Sequence, residues 1–121
     1  MARETLTKAF LHAWNAHDAD AAAVLMTEDC VFEPSVGQFP WGDRFHGRDQ
    51  VRTWALETFQ RVPDIRWDPV RCIVGENHIV FEFQVTGTPV DAQSFDVYAC
   101  DILTLRDGSI VAKRAYRKAR P

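Results

Sequence analysis

The order of the periodic segments is the feature that most constrains the fold of this chain. Helix spacing is confined to the first half, and only strand-like segments follow residue 64. Between residues 78 and 87, large apolar side chains occupy every second position: Ile79, Phe81, Phe83 and Val85. This period is typical of a strand with one buried face. Helices first and strands last predict an α+β fold, with the helices covering one face of a curved antiparallel sheet.

The individual elements follow from the same spacing. Three helices are predicted, over about 4–16, 19–26 and 49–61, and five strands, over about 30–33, 65–74, 78–87, 94–105 and 110–118. Asp18 is placed to cap the second helix. A sheet curved around three helices leaves a cone with an open mouth, which suits a small apolar ligand. A length of 121 residues predicts one domain, spanning 1–121.

The charge of the chain limits its partners. The net charge of −3 argues against a nucleic-acid partner, because nucleic-acid-binding domains usually carry a basic surface. Basic residues cluster only near the C-terminus: Lys113, Arg114, Arg117, Lys118 and Arg120. This cluster is either a solvated strand edge with a frayed tail or a docking site for an anionic substrate.

Hydropathy and cysteine content bear on location. No segment approaches the roughly 18 apolar residues of a membrane span, so no membrane partner is expected. Residues 1–8 lack the apolar run of a signal peptide. The three cysteines are odd in number and form no close pair, which favours a reducing compartment. We therefore expect a cytoplasmic protein.

Asp101 is a charged residue in an otherwise apolar predicted strand. Burying a charged carboxylate costs several kcal/mol unless it is paired or its pKa shifts. Asp101 therefore either has a cationic partner or faces a cavity where a carboxylate is useful. As a base near neutral pH it would need a pKa raised by burial, whereas an adjacent cation would lower that pKa.

The partner of Asp101 depends on the hairpin that follows, whose turn is signalled by Asp107-Gly108. A two-residue turn places Asp101 opposite Arg114, and Tyr116 then shares the face of Asp101. A three-residue loop places Asp101 opposite Lys113, which then lies on that face with Ala115 and Arg117. A slip of one residue exchanges the two faces of the last strand, so the sequence leaves both registers open.

Six segments of the chain have the pattern of a known superfamily: Trp14-Asn15-Ala16-His17-Asp18, Leu25-Met26-Thr27-Glu28-Asp29-Cys30-Val31-Phe32, Phe45-His46-Gly47-Arg48-Asp49-Gln50-Val51, Pro63-Asp64-Ile65-Arg66-Trp67, Thr86-Gly87-Thr88 and the stretch from Asp101 to Ile110. Together they resemble the NTF2-like superfamily, which includes ketosteroid isomerase and the SnoaL-like polyketide cyclases. The resemblance covers nearly the whole chain. It implies a cone-shaped fold, and a homodimer that pairs through the exposed sheet face. Fold membership alone does not define the activity.

The resemblance to ketosteroid isomerase can be compared residue by residue. Those enzymes use a carboxylate base at the end of the first strand, where this chain has Glu33 followed by Pro34. They also use a tyrosine of helix one in the oxyanion hole, and the matching position here is Phe10, which has no hydroxyl group. The chain is therefore closer to a SnoaL-like branch with a buried acid in the penultimate strand and a basic last strand.

These residues predict a small enzyme that needs no cofactor and shifts a proton on an apolar carbonyl compound, as an isomerase, a dehydratase or an aldol-type cyclase. Asp101 would be the acid or base, alone or paired with Glu33, and Lys113, Arg114 or Tyr116 would stabilise the developing oxyanion. The alternative is a binding module without chemistry. Side chains expected against the ligand are Phe10, Trp14, Trp54, Phe39, Trp41 and Arg114.

Each of these residues also has a structural interpretation. Asp101 could form only an ion pair across two strands, Glu33 could be a solvated residue at a strand end, and Tyr116 could simply pack at the rim. Phe39 and Trp41, in the long loop 34–47, could form an aromatic lid or merely fill the space beneath that loop. The scattered histidines and widely spaced glycines predict neither a metal site nor a phosphate-binding loop.

Overall fold

The computed structural model of the protein describes residues 2–121 and consists of three helices and a six-stranded sheet. The helices are α1 (Arg3–Asn15), α2 (Ala19–Val24) and α3 (Gly47–Arg61). The strands are β1 (Met26–Glu33), β2 (Phe45–His46), β3 (Arg66–Val74), β4 (His78–Gly87), β5 (Phe95–Arg106) and β6 (Ser109–Arg117). The first strand begins four residues earlier than predicted, and the short β2 lies inside the segment predicted to be loop.

The sheet is curved and unclosed, and its strand order is β2-β1-β6-β5-β4-β3. The predicted α+β architecture, with helices packed on a curved sheet, is confirmed. The expectation of a wholly antiparallel sheet was wrong for one pair, because β1 and β6 run parallel. Parallel neighbours need a long crossover connection, and residues 34–108 provide it.

The helices pack on the sheet through the apolar faces that their spacing predicts. Helix α1 buries Leu6, Phe10, Ala13 and Trp14. The carboxylate of Asp18 accepts a hydrogen bond from the backbone N–H of Ala21, at 3.0 Å, and so caps α2 as predicted. The ring of Phe10 stacks on Phe81 of β4, with centroids 5.6 Å apart. The helical layer is thus anchored on the alternating face of β4.

Gly87 allows a close approach beside the mouth of the cone. A Cβ atom at this position would lie 2.5 Å from Cγ1 of Val62 and 2.9 Å from Cζ of Phe95. Real side chains do not approach so closely, so any larger residue would displace Val62 or Phe95. Both of these side chains line the central cavity, and Gly87 therefore helps to set its width.

The β5–β6 hairpin combines features of the two predicted registers. Arg106 pairs with Ser109 and Leu105 with Ile110, which is the two-residue turn. Val111 is then an extra residue, because Thr104 pairs with Ala112 and Leu103 with Lys113. This β-bulge shifts the remaining pairs by one position.

The bulge decides which side chains share the face of Asp101. Asp101 pairs with Ala115, so it lies directly opposite neither Arg114 nor Lys113. Lys113 lies on the same face of the sheet as Asp101, because it is two residues away from Ala115 in β6. The expectation that the two-residue turn would place Tyr116 on this face was wrong. The sequence pattern could not show the bulge, because Ile110-Val111-Ala112 is uniformly apolar.

Candidate functional site

A cavity of about 330 Å³ lies between the helices and the concave face of the sheet. Most of its wall is apolar or aromatic, and the predicted ligand-contacting residues Phe10, Trp14 and Trp54 belong to it. The cavity is also lined by Phe32, Thr58, Trp67, Phe83, Val85, Phe95 and the start of the 34–47 loop. Its size is at the lower end of the range for ligand pockets.

Asp101 and Lys113 lie together in the wall of this cavity. Nζ of Lys113 is 3.7 Å from Oδ2 of Asp101, and the two residues are only 5% and 7% exposed, respectively. Within residues 2–121, neither side chain has another ion-pair or hydrogen-bond partner. Ala115, the residue opposite Asp101, is small and also lines the cavity. The carboxylate and ammonium groups are therefore available to a ligand in the cavity.

The strand pairing explains the position of Lys113. It pairs with Phe32 of β1 on one side and with Leu103 of β5 on the other. Its Nζ lies 4.2 Å from the centroid of the Phe32 ring and 4.7 Å from that of Trp14. Aromatic faces attract a cation, so these rings favour the ammonium form and hold it beside Asp101.

Burial changes the pKa of both members of this pair. It raises the pKa of the Asp101 carboxyl group, and the charge of Lys113 only partly opposes the effect. It lowers the pKa of the Lys113 ammonium group, with Asp101 acting in the opposite direction. The two pKa values move toward each other, which reduces the free energy needed to transfer a proton to or from a bound molecule.

Glu33 lies outside the central cavity. It follows Phe32 in β1, and successive residues of a strand point to opposite faces of the sheet. Nε and Nη2 of Arg44 lie 2.8 and 2.7 Å from its Oε2, and Nε of Arg114 lies 3.4 Å from its Oε1. The carboxylate is therefore held by two guanidinium groups, away from Asp101.

Four of the five remaining predicted site residues line a second depression, of about 420 Å³, which shares Ala115, Tyr116 and Arg117 of β6 with the central cavity. Glu33, Trp41, Arg114 and Tyr116 line it. Tyr116 also reaches the rim of the central cavity and is exposed. Phe39 and Trp41 stack on each other, with centroids 5.2 Å apart, and the guanidinium group of Arg44 lies 4.4 Å from the Trp41 ring. The aromatic side chains of this loop thus pack mainly within the loop.

Two basic residues at the cavity mouth were not singled out as site residues in the sequence. Arg61 is the last residue of α3, and Arg117 is the last residue of β6. Both line the central cavity. Arg117 belongs to the basic C-terminal cluster, whereas Arg61 stands in a helical pattern where an exposed arginine is ordinary. Only the register of β6 and the end of α3 together show that both line the same cavity.

Residues 2–121 contain no group of three or more His, Cys, Asp and Glu side chains arranged to hold a metal ion. Within the same residues, no helix combines the length and hydropathy needed to cross a membrane.

The fold and its cavity define a cone-shaped α+β protein of the NTF2-like type. The model of the SnoaL-like domain family matches residues 7–113. The chain belongs to that family. No match was found among curated proteins.

Solved structures of similar fold are numerous, and three illustrate their range. A hypothetical protein with a ketosteroid isomerase-like fold from Catenulispora acidiphila DSM 44928, in complex with trimethylamine, is 20% identical, with 96% of this chain and 86% of that chain covered and a TM-score of 0.82. An NTF2-like protein of unknown function from Burkholderia pseudomallei K96243 is 17% identical, with coverages of 98% and 92% and a TM-score of 0.85. An LEH-like epoxide hydrolase from M. tuberculosis is 21% identical, with coverages of 94% and 80% and a TM-score of 0.76. At these identities the similarity establishes the fold alone.

Proposed function

We propose that the protein is a small enzyme that transfers a proton on an apolar carbonyl compound bound in the central cavity. The observation that carries this proposal is the Asp101–Lys113 pair, buried in the wall of an otherwise apolar cavity with its atoms 3.7 Å apart. Both side chains line the cavity, so a ligand bound there can reach them.

The two groups have complementary roles. The Asp101 carboxylate takes a proton from the carbon next to the carbonyl group, and the Lys113 ammonium group donates a hydrogen bond to the carbonyl oxygen, where negative charge develops. A fixed cation in a site of low dielectric stabilises such an oxyanion strongly. Return of the proton from Asp101 to another carbon of the enolate gives isomerisation. Attack of the enolate on a second carbonyl, with the proton passing from Asp101 to the new alkoxide oxygen, gives cyclisation. Glu33, on the opposite face of the sheet, takes no part.

The proposal is tested by hydrogen exchange in deuterated water. Benzylacetone, an apolar ketone small enough for the cavity, is incubated with the protein, and loss of the signals from the hydrogens next to the carbonyl group is followed by proton NMR. We expect a rate above the buffer background that is bell-shaped in pH. A rate equal to that background throughout would leave binding without chemistry as the function of the cavity.

The pKa shifts give the sign of each limb. Asp101 acts as a base only when ionised, so the rate rises with pH through a pKa above the ordinary carboxyl value of about 4. Lys113 donates only when protonated, so the rate falls again through a pKa below the ordinary lysine value of about 10.4. The limbs report the pair as a whole, because the two groups titrate together.

We also propose that two copies of the chain pair through the outer face of the sheet. Ile73 and Tyr98 on that face are 60% and 46% exposed, and Val80 and Ile102 between them are only half-buried. Light scattering after gel filtration is expected to give twice the chain mass, and Ile73→Lys to shift it toward one chain. Val24→Lys, on an equally exposed residue of α2, is the control. The mass of one chain at micromolar concentration would contradict the pairing.

A further inference from the structure

The charged residues of the cavity are mainly positive. Arg61, Lys113 and Arg117 line it with a single carboxylate, Asp101, although the whole chain carries a net charge of −3. Lys113 and Asp101 neutralise each other across 3.7 Å. Two guanidinium groups therefore remain without a counter-charge at the mouth of an apolar cavity.

Among residues 2–121, Arg61 and Arg117 differ from every other arginine because their guanidinium groups have no partner. Seven arginines have a carboxylate within ion-pair distance: Arg44, Arg48, Arg52, Arg66, Arg71, Arg106 and Arg114. Arg3 and Arg120 donate to backbone carbonyl groups instead. For the side chains of Arg61 and Arg117, residues 2–121 provide neither kind of partner.

Both side chains line the mouth of the same cavity. The guanidinium carbon of Arg117 lies 4.5 Å from the centroid of the Phe95 ring, which fixes this side chain over the cavity wall. Partial desolvation lowers the pKa of Arg117, although the residue as a whole is exposed, and the charge of Arg61 lowers it further, more than the carboxylate of Asp101 raises it. The potential at the mouth is thus positive before any ligand enters, and an anion there would relieve the repulsion.

We propose that the ligand of this cavity is an apolar carboxylic acid, whose carboxylate binds between Arg61 and Arg117 while its apolar body reaches inward to the Asp101–Lys113 pair. Guanidinium groups bind carboxylates through paired, charge-assisted hydrogen bonds, which gives them geometric selectivity. The inference rests on the proposed function in that both place the ligand in the same cavity. It adds the class of substrate, a keto acid, and the end of the molecule that enters last.

The test compares two probes of the same shape by isothermal titration calorimetry. Benzoylpropionate carries a ketone, an aromatic ring and a terminal carboxylate, and its primary amide replaces only the charge. We expect the acid to bind about tenfold or more tightly than the amide, the effect of a charge-assisted hydrogen bond. This preference should weaken as salt is added, because the mouth is partly open to solvent.

Substitutions at the mouth identify the groups responsible. Arg117→Gln and Arg61→Gln are each expected to weaken binding of the acid about tenfold and to leave that of the amide unchanged. Arg52→Gln is the matched control, because Arg52 lies on the same helix as Arg61 but pairs with Asp49 and Asp20 away from the cavity. It should change neither affinity.

The outcomes separate this inference from the proposed function. Equal affinities for acid and amide, no binding of either, or equal weakening of both by the substitutions would each overturn the inference. Exchange of benzylacetone, which carries no charge, tests proton transfer independently. Exchange without a preference for the acid removes only the inference, and a preference for the acid without exchange removes only the proposed chemistry.

Discussion

Asp101→Asn is expected to slow hydrogen exchange of benzylacetone by about 10²–10⁴-fold, the usual contribution of a general base. Asparagine has nearly the same shape as aspartate and still places an oxygen toward the Lys113 ammonium group, but it cannot take up a proton. The fold should persist, with some loss of stability because the buried Lys113 ammonium group loses its counter-charge, while the reaction fails. Proton NMR gives the rate, and circular dichroism checks the fold.

Asp68→Asn is the matched control for this change. Asp68 is also a strand aspartate beside a cation, with Oδ1 2.8 Å from Nε of Arg66, but its side chain is 45% exposed and lies outside the cavity wall. The Asp68→Asn variant should catalyse hydrogen exchange of benzylacetone at the rate of the unmodified protein. If Asp101→Asn and Asp68→Asn had equal, undiminished rates, Asp101 would be structural and the base would have to be sought elsewhere.

Lys113→Met should lower the free energy of unfolding by about 3–5 kcal/mol at neutral pH, because it leaves the buried Asp101 carboxylate without its partner. Methionine fills a similar volume between Phe32 and Trp14, so the loss is electrostatic rather than a packing defect. Urea denaturation monitored by tryptophan fluorescence measures it.

The pH dependence of this loss has a definite sign. Burial already raises the pKa of Asp101 in the folded chain, and removal of Lys113 takes away the effect that opposes it. The folded variant therefore holds the proton more tightly than the unfolded chain does. The contribution of Asp101 to its stability is greatest below the ordinary carboxyl pKa of about 4 and decreases as pH rises through the higher pKa of the folded state.

A second substitution tests the cause of this loss of stability. Asp101→Leu combined with Lys113→Met replaces the pair with apolar side chains and should recover most of the lost stability, as is common for buried ion pairs. If the double variant were no more stable than Lys113→Met alone, an unpaired charge could not be the cause of the loss. Neither variant should catalyse exchange, so stability and activity are separated.

Much of the fold could be predicted from the sequence because its periodicity is unambiguous. The alternation in β4 and the apolar spacing in α1 each define a single face that can be buried. Asp18 caps α2 as its position predicts. The first strand was placed too late, because Thr27, Glu28 and Asp29 look like a turn although they belong to β1. Polar side chains in an exposed part of a strand show no apolar periodicity, so the pattern does not indicate a strand there.

The site could be predicted only in part, because it depends on register. Asp101 was recognisable as a charge that needed an explanation, and Lys113 was one of its two possible neighbours. The bulge at Val111 brings Lys113 rather than Arg114 to the face of Asp101. A bulge is a property of the strand pairing, and the identity of Val111 does not reveal it. The placement of Arg61 and Arg117 in the wall of one cavity likewise depends on where a helix and a strand both end.

The bulge at Val111 also bears on how members of this family can diverge. A single inserted residue exchanges the side chains that β6 shows to the interior, so that a cation such as Lys113 enters while its neighbour Arg114 moves to the outside. New chemistry in the cone can thus arise by a change in chain length at one point, with every other residue retained. Positions that align by residue type across such an insertion need not occupy equivalent places, which explains how one scaffold can hold many unrelated reactions at low sequence identity.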